Sequence, residues 1–147
     1  MRELVIAKVK DALGLYGDLV AALPEEALRL NLPHLPSNTI GSQLWCVAGA
    51  RASYLKAIRA GTWQGFACEI SYAEAKLKDR IGPLLESTAG QVVACLEDVS
   101  LEWTVERERL LLSVLEHEVQ HHGQLIRYLY GNRLEIPRSW KERYSLD

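Results

Sequence analysis

An all-α fold is predicted by three features of the chain. Apolar residues recur at steps of three and four in each long segment, the spacing that gathers side chains on one face of a helix. Stretches containing proline or glycine separate those segments. No segment alternates apolar and polar residues long enough to make a sheet. Four such segments and a short tail predict an antiparallel four-helix bundle, built by residues 1–147 as a single domain.

The first helix is read from Val5, Val9, Ala12, Tyr16, Leu19 and Leu23, and Pro24 stops it. "RLNLPHLPSN" follows as a loop, with Ser37 or Asn38 placed to cap the second helix. The stripe of that helix is Ile40, Leu44, Val47, Tyr54 and Ile58, with Arg51 interrupting. "AGTWQGFAC" reads as a connection. A third helical region is expected from about Tyr72 to Val99, broken or kinked at "IGP", with Leu84, Leu85, Thr88, Val92, Leu96 and Val99 on its apolar face. The fourth helix is expected to start near Glu106, with acidic residues favouring its N-terminal dipole. It is expected to end at "YGN", with Gly131 or Asn132 left-handed. A short fifth element is placed near Pro137 to Arg143.

Composition narrows the function. The chain is 48% hydrophobic and 24% charged with a formal net charge of −2, ordinary for a globular protein and without the basic excess of a nucleic-acid binder. Basic and acidic residues are interleaved, as in "WTVERER", which reads as a solvated helix start. No apolar run approaches the ~18 to 20 residues that span a bilayer. The N-terminal segment is amphipathic and carries acids, unlike a secretory leader. A cytoplasmic protein is therefore expected. The three cysteines, Cys46, Cys68 and Cys95, are odd in number and irregular in spacing, which suits buried thiols or ligands better than a disulfide framework.

The chemistry concentrates in "HEVQHHGQ", residues 117–124. Continuing the fourth stripe through Leu110, Val114, His117, His121, Gln124 and Tyr128 puts two imidazoles one turn apart where apolar residues belong. Such a pair can aim lone pairs at one divalent ion. Equally, each can be a core histidine bonded to a carbonyl. A metal needs at least one further ligand from elsewhere. His122, about 100° further round the helix, reads as a flank residue. His34 lies in the loop between prolines, Cys68 and Cys95 read as packing residues, and the four tryptophans read as core or interface contacts. The letters His117-Glu118-x-x-His121 also fit the zinc-peptidase pattern, with Glu118 as general base. Against this, the longer metzincin pattern needs Gly at 124 and His at 127, where this chain has Gln124 and Arg127.

"HEVQHHGQLIRYLYG" resembles the last helix of the DinB-like/YfiT-like family of bacterial metalloenzymes, with His117, Glu118, His121, Gly123 and Gln124 in the family positions. "NTIGSQLWCVAGARASYL" is similar to that family's second helix, where an Ile-Gly precedes a His. "GNRLEIPRSW" is similar to its tail. The middle of the chain is unmatched. The resemblance implies a four-helix bundle carrying a metal triad, one His from the second helix and two from the fourth. The latter fall on His117 and His121. The former falls on Cys46, the main departure from the family pattern.

A Cys46–His117–His121 set with an open fourth position is chemically sound and favours zinc, with nickel as an alternative. The resemblance further implies a small-molecule substrate, a homodimer, and an activity like that of relatives using low-molecular-weight thiols such as bacillithiol or mycothiol. A metal-dependent thiol transferase or hydrolase in stress response or detoxification is the first expectation. The alternative is a non-catalytic binding protein whose metal site has degenerated at Cys46.

Overall fold

A computed structural model describes residues 1–147. The chain is all-helical and contains no strand; one isolated bridge joins Asn31 and Thr39. The helices are α1 (Arg2–Ala22), α2 (Ile40–Ala60), α3 (Lys78–Leu96), α4 (Val105–Gly131) and α5 (Arg138–Tyr144), with 3-10 turns at Glu25–Arg29 and Glu74–Lys76. No helix is long and apolar enough to cross a membrane.

The stripe of α1 faces inward as expected: Val9, Ala12, Tyr16 and Leu19 are buried, as is Leu23 just beyond the helix. α1 and α2 each pack against both α3 and α4. The interior falls into two apolar clusters. The larger includes Tyr16, Leu19, Ile40, Leu44, Leu125 and Leu129 and is sealed by Trp140 of α5. The smaller lies toward the other end and includes Val9, Leu13, Leu55, Ile58, Val92 and Val114.

α2 is buried on more than one side, because the 61–70 connection lies across its outer surface. Ala67 N–H donates to Ser53 Oγ at 2.9 Å, and the Trp45 indole donates to Ile70 O at 2.9 Å. A Cβ at Gly49 would overlap the Phe66 ring. At the start of α2, Gly41 admits two further connectors. A Cβ there would stand 2.6 Å from Ala75 O and 2.8 Å from Leu28 O, closer than any side chain tolerates without backbone movement.

Several boundaries differ from the sequence reading. Thr39 caps α2, its Oγ1 accepting from Ser42 N–H at 3.1 Å. Ser37 instead accepts from Leu32 N–H at 2.7 Å, and Asn38 is occupied by Gln43 and Tyr128. Tyr72 to Leu77 is a connection with a 3-10 turn, and Val99 is fully exposed beyond the end of α3. Pro83 sits inside α3 without ending it, close enough to the N-terminus that it forfeits only one early ladder bond. α4 begins at Val105 behind a Thr104 cap, whose Oγ1 accepts from Arg107 N–H at 3.3 Å. At the other end Arg133, not Gly131 or Asn132, takes the left-handed conformation (φ 54°). Leu134 N–H reaches Leu129 O at 2.9 Å and Arg133 N–H reaches Tyr130 O at 3.1 Å, a Schellman closure. Asn132 is held out of that role by its side-chain amide, which donates to Asn31 O and Tyr128 O.

Candidate metal centre

α2 and α4 lie against each other and bring Cys46, His117 and His121 together. One ligand atom from each lies within 4.8 Å of the other two. Cys46 Sγ is 3.7 Å from His117 Nε2. Bonds of about 2.3 Å to sulfur and about 2.0 Å to nitrogen at a tetrahedral angle place the two donors about 3.5 Å apart. The Cys46–His117 pair is therefore spaced as two ligands of one divalent ion would be. The same contact is also the length of a thiol-to-imidazole hydrogen bond.

The centre opens on one side. His121 is buried, whereas Cys46 and His117 are half-buried. Cys46 stands beside the apolar stripe of α2, not on it, and this edge position is what leaves its thiol reachable. The Tyr54 ring, two turns along α2, packs against His117 with centroids 6.2 Å apart.

His121 is aimed by a relay that the sequence reading missed. Its Nδ1–H donates to Gln43 Oε1 at 2.6 Å. The Gln43 amide donates to Asn38 Oδ1 at 2.8 Å, which also receives the Tyr128 hydroxyl at 2.7 Å. With Nδ1 engaged, Nε2 keeps the lone pair, the usual way an outer partner fixes a ligand tautomer. Gln43 is a buried polar residue, and only the fold puts it opposite His121.

Burial holds both imidazoles in the neutral, ligating form. Desolvation and then the neighbouring His117 pull His121 down to about 4. Desolvation also lowers His117, and the Glu118 carboxylate partly offsets this. The Cys46 thiol is pushed up, first by desolvation and then by Cys68.

Glu118 is not a general base beside a metal, which removes the peptidase reading. Its carboxylate points into the interior and is gripped by Arg51, Nε to Oε1 and Nη2 to Oε2, both at 2.8 Å. Both side chains are only 1% exposed. Arg51 Nη1 donates to Leu85 O at 2.9 Å, and its guanidinium lies 4.7 Å from the Tyr16 ring centroid. A buried carboxylate with both oxygens engaged has no free lone pair aimed at substrate water.

His122 is not a flank residue. It is completely buried among Tyr16, Trp140 and Tyr144, and its Nδ1 shares a 2.6 Å hydrogen bond with the Tyr144 hydroxyl. Its Nε2 has no hydrogen-bond partner. Desolvation, followed by the charges of Arg51 and Arg143, pulls its pKa down to about 3. This ring anchors α5; it does not join the centre. Of the other residues singled out in sequence, Gln124 and Leu110 are half-buried, His34 is exposed in its loop, and Cys95 is buried packing. Cys68 is half-buried, with its thiol 3.8 Å from Trp45 O.

No family model, curated protein or solved structure matches the chain.

Proposed function

We propose that this chain is a metal-dependent enzyme of the DinB-like/YfiT-like type, an antiparallel four-helix bundle holding zinc through Cys46, His117 and His121. The observation that carries the reading is the convergence of one thiol and two neutral imidazoles from two helices, with His121 aimed by Gln43. Isolated core histidines would not require a third ligand atom at 3.7 Å from one of them.

The chemistry a divalent ion supplies in a three-ligand site is Lewis acidity, which lowers the pKa of a bound water or thiol. The protein's own residues define the rest. Gln43 holds the His121 tautomer. Arg51 keeps Glu118 turned away from the opening. The half-buried side at Cys46 and His117 is where a small substrate reaches the centre. The proposed reaction is transfer of a low-molecular-weight thiol to an electrophile, or a related hydrolysis, in a homodimer.

Elemental analysis of protein purified without chelator tests the reading, followed by a screen of thiols against electrophiles. One zinc per chain and metal-dependent conjugation support it. A folded, metal-free chain that takes up no zinc would leave a non-catalytic binding protein with a degenerate site.

A further inference from the structure

Five aromatic rings stand on α2 and the connection that crosses it, in two groups. Trp45, Phe66 and Tyr72 form one, with centroids 5.1 Å apart for Trp45–Phe66 and 5.4 Å for Trp45–Tyr72. Tyr54 and Trp63 form the other, 5.1 Å apart, and Tyr54 touches His117. Around α2, Trp45 stands about 100° to one side of Cys46 and Tyr54 about 80° to the other, so the thiol projects between the two ring-bearing faces. Trp63, Phe66 and Tyr72 remain 48%, 44% and 49% exposed.

Large rings left in water are unfavourable, and a cluster of them beside a reactive centre points to a ligand. These rings are also held in place. The Trp45 indole is tied to Ile70 O, and Ala67 is tied to Ser53. Ordered rings lose little further freedom when something stacks on them.

We infer that the aromatic rim selects a small substrate with a planar, apolar body, stacked on the rim with its reacting group turned to Cys46 and His117. This rests on the metal reading above. The rim's position on either side of the ligands favours a small molecule over a second copy of the chain, which would need a broader continuous face.

Calorimetry on the zinc-loaded protein separates the possibilities, using hydroxamates as metal-directed probes. Benzohydroxamate should bind about tenfold or more tighter than acetohydroxamate, the gain expected from ring stacking. Trp63→Ala and Phe66→Ala should each shrink the benzohydroxamate advantage, leaving zinc content and acetohydroxamate affinity unchanged. Equal binding of benzohydroxamate and acetohydroxamate by the wild type overturns the inference, as does an advantage that survives both substitutions. If those variants change only the sedimentation coefficient, the rings are a contact between copies and the inference is wrong. Failure of the wild type to retain zinc, or to bind either simple hydroxamate, sinks the metal reading itself and this inference with it.

Discussion

Arg51 of α2 and Glu118 of α4 meet in a buried two-point ion pair, and Glu118 directly follows the candidate ligand His117. The pair ties together the two helices that supply all three candidate ligands. It also separates the larger apolar cluster from the smaller one along these helices. Charges so deeply buried are tolerated because their polar atoms are nearly all satisfied, by each other and by Leu85 O.

Breaking the pair from one side should therefore be severe. Glu118→Gln is expected to lower unfolding free energy by about 3 to 5 kcal/mol, because it strands a guanidinium in the interior. Arg51→Met combined with Glu118→Leu should recover most of the loss. Urea unfolding at pH 7 measures both. A Glu118→Gln variant as stable as the wild type would contradict the structural role assigned to the carboxylate.

Gln43→Ala should leave the helices folded and weaken zinc binding by about 10- to 100-fold, the usual effect of removing a partner that orients a ligand histidine. Competition against a chromogenic chelator reads this directly. Unchanged affinity would mean that the Gln43–His121 bond does not serve the centre.

Zinc affinity should rise about tenfold per pH unit between pH 6 and 8. The Cys46 thiol, its pKa raised, still carries a proton there that binding must displace. His121, depressed to about 4, adds no proton competition in that range. Cys46→His should retain metal, flatten the slope above pH 7 and relax selectivity toward nickel. Cys46→Ala should lose affinity by orders of magnitude. A flat wild-type profile would show that Cys46 is not a ligand.

Metal-free protein should lose stability as pH falls from about 6.5 toward 3. His122 titrates near 6.5 when unfolded and at about 3 when folded, so in that window the unfolded chain binds a proton the native state refuses. Its contribution is complete above 6.5 and lost toward 3, at up to about 1.4 kcal/mol per pH unit. His121 contributes in the same direction down to about 4. His122→Phe should reduce the slope near pH 5 by about half, measured as urea midpoints at pH 7 and pH 5. An unaltered slope would show that His122 does not carry the acid sensitivity.

The sequence made the helices and the two histidines legible because both depend on local spacing, whereas Cys46 entered only through the family resemblance. α1 has one buried face, and its stripe reads correctly. His117 and His121 are one turn apart on any helix. What escaped depends on what covers each helix. α4 is packed on one side by α1 and α2 and capped by α5 near His122, so its interior is wider than the expected line: Val114, His121 and Tyr128 of that line are buried, and so are Leu111, Glu118, His122 and Leu125 beside it. Arg51 did leave a trace as the one charge on an apolar stripe, a signal for a buried partner. That partner is Glu118, but nothing in sequence sets the rotation of α4 relative to α2. Gln43 left no trace, since its role exists only once Asn38 and His121 meet it.

Gly41 makes the first turn of α2 a crossing of three backbones, with the carbonyls of Leu28 and Ala75 resting where a side chain would stand. A single methyl group there acts as a wedge. It cannot be absorbed by a flexible side chain, because both neighbours are main chain, so either the connectors part or the turn lifts. That turn carries Gln43, whose oxygen holds His121, and leads into Cys46. A residue without a side chain thus sets the elevation of the centre, and damage there would surface as a loosened ligand far from the altered atom.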